Sequence, residues 1–532
     1  MEKDKLNLDV DKKAKKLDEL FTQVHDYLKK YEVEAKRQRG EAPYLSTTMY
    51  TVNSIEALVI NGERFNSYNN HVENKTIVTA HYKPAKPIFY VENDFFSKDM
   101  VWMAELQAWE NYGSFKHSRF EKEEYYLLQP DKINKDKVKM NSFTENDIIE
   151  VASILNSFSK EAKEKVDKVT YNLIIKNIKS YFVDVFGSEI FQDLNYWYVH
   201  FTFIKRAPQY PTRRFQLSYT IGASELRKSF KKLIKNIYQG IVDTVEKVNL
   251  FSKNSSNPSE FSLSSGSHKV ILDGRVAGVA LHEFGAGHMA EAHRIIEEGE
   301  VLAFYGKFGK KISSRYVNLI DDSSLEIDGI KPISYYLYDA EGVKKRRVEI
   351  IKDGKFNSYL HSKLTAGTLS KEEGGGKLTG NARVEPENEE KTPIVPRMST
   401  LYVEPRDLSF DELLEMAKGG LLITSGSPSG EVLTQLAVGW IPIEEIYYID
   451  SKKEPRPLIY PQYDLYIRET PESFLRKIKG IGDKNTLKFD VGFCGAESGY
   501  LPHTIYSPAM FVNKLGIILT KGKSFLRESL VE

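Results

Sequence analysis

The chain has 532 residues, of which 41% are apolar and 28% are charged, an ordinary globular composition with material for a large core. Its 75 Lys and Arg residues balance its 74 Asp and Glu residues, so no basic excess predicts binding to nucleic acid. It has no run of about 18 apolar residues and no apolar signal core near its start, so we expect no transmembrane helix and no secretion. The single cysteine, Cys494, excludes an intramolecular disulfide and suits a reducing compartment, which predicts a soluble, cytoplasmic protein.

The first part of the chain mixes helical and strand patterns. Residues 8–38 carry apolar side chains at spacings of three, four and seven, which predicts one amphipathic helix. A long apolar stripe over residues 225–251 predicts a second helix. Strands are predicted by short runs rich in β-branched and aromatic residues at 55–60, 77–82, 88–91, 181–186 and 196–204. We therefore expect an N-terminal mixed α/β domain over residues 1–255.

A polar stretch over residues 252–267, rich in Ser and Asn, is the clearest change of composition in the chain. We place a domain junction within it, and a surface loop inside one domain is the alternative explanation. Beyond it the patterns predict a strand at 269–273, a helix over about 276–298, and further β-structure at 335–338 and 348–351. The fold class we predict is α+β, with a β-rich C-terminal domain over residues 265–532 that carries one central helix.

Three of the eleven histidines, His282, His288 and His293, fall close together in this predicted helix. Glu283 directly follows His282, and an imidazole beside a carboxylate, with a second imidazole further along, is what a zinc hydrolase needs. The imidazoles bind the metal, and the glutamate acts as general base toward the attacking water. A packed glycine-rich helix with structural histidines is the alternative.

The spacing of these histidines departs from the common zincin pattern, in which the pair is four residues apart. His282 and His288 are six apart, which places them roughly 120° apart around a regular helix. An undistorted helix therefore cannot direct both at one metal, but Gly285 and Gly287 between them permit a bulge or a kink. His293 is a rival second ligand, yet it would lie ~16 Å along a helix from His282, against ~9 Å for His288, which favours His288.

This region resembles the TldD/PmbA family, the so-called gyrase modulators, whose active members are zinc peptidases. The family motif is His-Glu-x-x-x-His followed by a Leu-Glu-Gly-like stretch, which Glu291 fits; this chain has one additional residue between Glu283 and His288. Similar segments follow in order at 316–322, 351–360, 380–383 and 396–400. The resemblance covers roughly residues 268–520 and is loose over the first part of the chain.

The resemblance implies a metal site, a mechanism and an oligomeric state. Cys494 opens a Cys-Gly-x-x-Gly-like stretch and would be the third zinc ligand, although a lone cysteine without that context is more often a small buried residue. One Zn²⁺ per catalytic chain, held by His282, His288 and Cys494, would act with Glu283 on unfolded or extended peptides. The chain would form a homodimer, or a heterodimer with a PmbA-like paralogue, and needs no nucleic acid or membrane. The alternative is a non-catalytic, peptide-binding partner subunit of such a complex.

Two further features have competing interpretations. Asp321 and Asp322 could act as a carboxylate pair, but solvated acids at the end of a strand are the favoured explanation. Arg397 could bind a peptide carbonyl or carboxylate, and a structural ion pair is equally compatible with the sequence.

Overall fold

The computed structural model describes residues 13–60, 63–64, 69–94, 96–117, 124–140, 143–207, 210–253, 261–298, 303–387, 392–426, 431–433, 438–460 and 463–520. Helices and strands are mixed along the chain, and the strands form several sheets, so the α+β class is confirmed. Within the described ranges, no helix has both the length and the apolar character needed to cross a membrane.

The first part of the chain builds one large sheet with helices packed on it. Its elements are α1 (Lys13–Arg39), β1 (Tyr44–Ile60), β2 (Glu63–Arg64), β3 (Asn69–His81), β4 (Ile88–Glu92), α2 (Lys98–His117), β5 (Lys135–Lys139), α3 (Glu145–Lys163), β6 (Lys168–Asp184), β7 (Glu189–Ala207), β8 (Tyr210–Ser224) and α4 (Leu226–Lys253). The strand order is β4-β3-β1-β6-β7-β5, with β2 beside β1 and β8 beside β7. Pairing is antiparallel except between β5 and β7.

The long helix α4 shows why the periodic patterns were informative. Phe230, Leu233, Ile237 and Ile241 recur every three or four residues and are buried in one hydrophobic cluster with strands of the sheet. Each such side chain contributes about 1.5–3 kcal/mol when it is fully buried. The helices predicted at 8–38 and 225–251 are both present, as α1 and α4, while residues 8–12 lie outside the described residues.

The second part of the chain builds two larger sheets and a two-stranded one around a broken helical segment. Its elements are β9 (Gly266–Leu272), α5 (Gly274–Leu281), a π-helical turn (His282–Ala286), α6 (Gly287–Ala290), α7 (His293–Glu298), β10 (Leu319–Asp321), β11 (Val348–Lys352), β12 (Lys355–Phe356), α8 (Lys363–Thr368), β13 (Ala382–Arg383), β14 (Val395–Pro396), β15 (Thr400–Val403), α9 (Phe410–Met416), β16 (Leu421–Gly426), β17 (Glu431–Leu433), β18 (Val438–Ile449), β19 (Pro455–Pro457), β20 (Asp464–Glu469), α10 (Pro471–Lys477), β21 (Ile478–Ile481), β22 (Lys488–Ala496), β23 (Gly499–Ser507) and β24 (Met510–Thr520).

One sheet has the order β12-β11-β10-β15-β23-β22, and β13 pairs with β14 separately. The other has the order β16-β9-β24-β20-β18-β17, with β19 beside β18 and β21 beside β24.

The hairpin β22–β23 connects the two parts of the molecule. On one of its faces, Phe493 packs edge-on against Tyr198, with ring centroids 5.2 Å apart, and Val491 is buried beside Tyr196 and Ile333. Both tyrosines belong to β7 of the first sheet. Because side chains alternate along a strand, Gly492 and Cys494 face the opposite side, toward the helical segment. The hairpin is therefore held between the first sheet and α5.

Two expectations for the second part of the chain are wrong in detail. The helix predicted over 276–298 is divided into α5, the π turn, α6 and α7, and Glu291 leaves the helical path to form a bridge with Leu360. Residues 335–338 are not a strand. The side-chain oxygen of Gln192 accepts hydrogen bonds from the N–H groups of Leu337 and Tyr338, so a strand partner is not needed there.

The domain boundaries stay a prediction. Helix α4 ends at Lys253 and β9 begins at Gly266, but residues 254–260 of the predicted junction lie outside the described residues. So do residues 1–12 and 521–532 at the outer ends of the two predicted domains.

Candidate metal centre

Helix α5 lies closely against β23 because two glycines face that strand. A Cβ atom on Gly274 would come within 2.3 Å of the carbonyl oxygen of Ser507, and one on Gly278 within 2.8 Å of Cγ2 of Ile505. Neither position has room for a side chain. Four helical residues advance about 6 Å and two strand residues about 7 Å, so helix and strand stay in register as they run antiparallel.

One turn further along, the same register brings His282 onto His503. Their rings stack with centroids 4.8 Å apart and planes inclined by 26°. Nδ1 of His282 lies 2.9 Å from Sδ of Met398, and because a thioether can only accept, we assign the ring proton to Nδ1. The lone pair is then on Nε2, which lies 3.8 Å from Oε1 of Glu283. Both His282 and Glu283 are about 95% buried, with 5% and 4% of their surface exposed.

The helical segment widens into a π turn directly after α5. A π-helical turn contains one more residue than an α-helical turn, and such turns occur frequently at functional sites. Here the turn spans His282–Ala286, and α-helical geometry resumes at Gly287. The glycine-permitted distortion expected from the sequence is therefore present. The side chain of His288 lies outside the described residues, so its role as a ligand stays a prediction.

Cys494 faces the same interface as His282. In the hairpin, Gly492 pairs with His503 and Cys494 pairs with Leu501, and residues two apart on a strand share a face. The ring of His503 lies over Gly492, where a Cβ atom would be 3.0 Å from Cε1 of the imidazole. Cys494 follows about 7 Å further along the strand, buried, on the side toward the helical segment.

A buried ion pair connects the helical segment to the hairpin of Cys494. Nε of Arg397 lies 3.2 Å from Oε1 of Glu291, and neither side chain is more than 1% exposed. The guanidinium also donates to the carbonyl of Cys494 at 2.7 Å, to Oγ of Ser498 at 2.9 Å and to the carbonyl of Gly499 at 3.2 Å. These contacts show that Arg397 forms a structural ion pair.

Comparison with known proteins assigns this part of the chain to a family. Residues 265–518 match the description "PmbA/TldA metallopeptidase C-terminal domain". This region belongs to the TldD/PmbA metallopeptidase family.

Relatives and solved structures agree with that assignment. A metalloprotease of Methanocaldococcus jannaschii is 35% identical over 237 residues, which are 44% of this chain and 48% of the relative. A zinc metalloprotease TldD homologue of Saccharolobus solfataricus is 28% identical over 193 residues, 36% of this chain and 40% of the relative. The chain thus matches about half the length of its curated relatives, or less. TldE from Thermococcus kodakarensis has a TM-score of 0.65 at 15% identity, covering 94% of this chain and 99% of that one, which shows a shared fold.

The expectation that Asp321 and Asp322 are both exposed to solvent is wrong for Asp321. Asp321 is not solvated but fully buried. Its carboxylate pairs with Nζ of Lys345 at 3.0 Å and accepts hydrogen bonds from the N–H and Oγ of Ser399 at 2.7 and 2.9 Å. It therefore fixes the backbone beside Met398. Asp322 instead accepts from Ser324 within a turn.

His293 belongs to a different group from His282. Its Nε2 lies 3.5 Å from Oε2 of Glu497, and one ligand atom each of His293, Glu297 and Glu497 lie within 4.8 Å of one another. Contact with His293 and with the guanidinium of Arg294 lowers the pKa of Glu497 to about 2. The choice between His288 and His293 as the partner of His282 stays a prediction, because the side chain of His288 lies outside the described residues.

Two neighbours of His282 were missed by sequence reasoning in this TldD/PmbA domain. His503 is buried, and its pKa is held well below its usual range, first by burial and then by His282 and nearby guanidinium groups, so its ring is neutral at pH 7. Met398 is the second, and Arg383 donates to its carbonyl and to that of Pro502. The spacing of Gly274, Gly278 and His282 was a readable signal for the helix face, but its partners on β23 were not.

Proposed function

We propose that this chain is a zinc-dependent peptidase with His282, His288 and Cys494 as metal ligands and Glu283 as general base. The observation that carries the proposal is the buried pair of His282 and Glu283, 3.8 Å apart, at the interface that Cys494 also faces. The names of its relatives, which are metalloproteases and a zinc metalloprotease, support it.

The donor set fits zinc. Imidazole nitrogen and thiolate sulfur are the ligands that Zn²⁺ takes most readily in proteins. The contact of Nδ1 of His282 with Met398 leaves Nε2 as the donor nitrogen and fixes the ring, as groups behind a ligand commonly do. When bound, zinc would supply Lewis acidity toward a peptide carbonyl and toward water.

The roles of the chain's own groups follow from their positions. Glu283 would take the proton of the attacking water at Oε1 or Oε2 and deliver it to the nitrogen of the departing amine. His503 stacks on His282 and limits rotation of that imidazole. Burial of His282 and Glu283 keeps bulk water away, so charges that develop there are weakly screened.

We propose unfolded or extended peptides as substrates. A catalytic pair that is about 95% buried is reached by a single extended chain more readily than by the surface of a folded domain. Main-chain pairing to a strand edge would bind such a chain with little sequence preference. We also propose that the active form is a dimer, with itself or with a PmbA-like paralogue.

The substitution Glu283→Gln tests the proposal. It keeps the shape but removes the general base, so we expect unchanged zinc content and a loss of about 10²- to 10⁴-fold in hydrolysis of a denatured protein substrate. Glu415→Gln, which changes an exposed carboxylate on α9, is the matched control and should retain full activity. Equal turnover by the Glu283 variant would contradict the proposed mechanism. A wild-type protein that binds peptide without zinc and without cleavage would indicate the non-catalytic partner subunit instead.

A further inference from the structure

The group formed by His293, Glu297 and Glu497 does not include the proposed catalytic residues His282, Glu283 and Cys494. His293 is the first residue of α7, and Glu297 follows four residues later, so both side chains share one helix face. Glu497 lies in the turn between β22 and β23. Two chain segments that are about 200 residues apart in sequence thus bring three ligand atoms within 4.8 Å of one another.

The imidazole of His293 provides independent support for a bound ion. The side chain is only 4% exposed, yet Nδ1 has no hydrogen-bond partner among the described residues and Nε2 makes no hydrogen bond of good geometry there. Its Nε2 is directed toward Glu497 at 3.5 Å, a longer distance than a good hydrogen bond. Buried polar groups are normally satisfied, and one that is not calls for a group that completes it. Glu297 and Glu497 are exposed, so an ion can enter from solvent.

The charges around the group favour a divalent cation. Two carboxylates contribute −2, and the guanidinium of Arg294, 3.2 Å from Oε1 of Glu497, contributes +1, which leaves −1 beside the imidazole. One imidazole and two carboxylates suit borderline and hard divalent ions such as Zn²⁺ and Mn²⁺. Three protein ligands leave the remaining positions for water.

We propose that His293, Glu297 and Glu497 form a second divalent-cation site, separate from the one that includes His282 and Cys494. An ion bound there clips the tip of the β22–β23 hairpin to α7. Because Cys494 lies three residues before Glu497, this clip restrains the strand that carries the proposed cysteine ligand.

The test is calorimetric titration of the chelator-stripped full chain with Zn²⁺. The wild type should bind two equivalents, and Glu297→Gln should lose one of them. In this variant, the affinity of the second site for Zn²⁺ should fall by more than about 100-fold. Loss of a residue that only supports a ligand costs roughly 10- to 100-fold, so a larger loss indicates a direct ligand. Glu297 is exposed, so this variant should fold normally, which a thermal melt checks, and His293→Ala is the second variant. Glu415→Gln is the control and should keep both equivalents.

The titration measures metal binding and not peptidase activity, so failure of the second site and failure of the proposed function give different results. His282→Ala should lose the equivalent that does not depend on Glu297. If one equivalent binds and survives both Glu297→Gln and His293→Ala, the second site does not exist, and the proposed function stands. If a single equivalent is lost in both His282→Ala and Glu297→Gln, the two groups serve one metal, and the proposal is overturned. If only the Glu297-dependent equivalent is found, the second site stands, and the proposed catalytic ligands fail.

Discussion

Replacing Arg397 with methionine should destabilise the protein far more than the loss of an ordinary ion pair. The substitution keeps much of the side chain's length but removes the charge beside Glu291, whose carboxylate is fully buried. It also removes the donors to the carbonyl groups of Cys494 and Gly499 and to Ser498. Among the described residues, Arg294 also lies near Glu291, with Nε 3.6 Å from Oε2.

The expected magnitude follows from what is left behind. Removing one partner of a buried pair costs about 3–5 kcal/mol, because the other charge stays in a medium that solvates it poorly. For a cooperative unit of about 150–250 residues, each kcal/mol lowers Tm by about 2–4 °C, so Tm should fall by roughly 6 to 20 °C. The double variant Glu291→Leu with Arg397→Met removes both charges and should recover most of this loss.

Urea denaturation followed by circular dichroism, together with thermal melts, measures the effect. Lys418→Met is the matched control, because Lys418 pairs with Glu415 on the surface at 2.7 Å, where such pairs contribute only about 0–1 kcal/mol. If Arg397→Met is as mild as this control, the buried pair does not hold the hairpin. If the double variant is as unstable as Arg397→Met alone, the loss comes from the other donated bonds and not from an unpaired carboxylate.

Two further predictions concern packing and pH. Gly278→Ala places a Cβ atom 2.8 Å from Cγ2 of Ile505, so it should lower the free energy of unfolding by about 1–3 kcal/mol, measured in urea. It should also weaken zinc binding by displacing His282. Unchanged stability would show that α5 can shift freely. Burial lowers the pKa of His361 to about 4, against about 6.5 in an unfolded chain. The unfolded state therefore binds the proton first, and stability should fall by about 3 kcal/mol between pH 6.5 and pH 4 on this account. His361→Gln should flatten that dependence in urea titrations across this pH range, and an unaltered slope would assign it to other groups.

Local patterns predicted the parts of the fold that local physics determines. The stripe of α4 and the first helix were readable because their apolar residues repeat at helical spacing. Helix α2 was not predicted, since Trp102 on its surface is half exposed and blurs the stripe of buried residues. The π turn was anticipated in kind, because glycines and an additional residue in a helix have few structural outcomes.

The surroundings of the site were not readable in the same way. The stack of His282 on His503 depends on the register between α5 and β23, which joins segments more than 200 residues apart. The contact of His282 with Met398 and the pair of Glu291 with Arg397 likewise join segments that are more than 100 residues apart. No periodicity in a single sequence encodes such pairings. Asp321 was wrongly expected in solvent for this reason, since the partners of its buried carboxylate, Lys345, Asn381 and Ser399, lie elsewhere in the sequence.

The helical segment that carries His282 and the β22–β23 hairpin that carries Cys494 differ in how they tolerate a change of chain length. On the helical side, the π turn accommodates one residue more than an α-helical turn would, and α-helical geometry resumes directly after it. On the strand side no such absorption is available, because a shift of one residue in β22 would send Cys494 toward Tyr198 and Phe493 toward His282. Length variation during the divergence of these proteins should therefore be found in the histidine segment and be absent between Gly492 and Cys494.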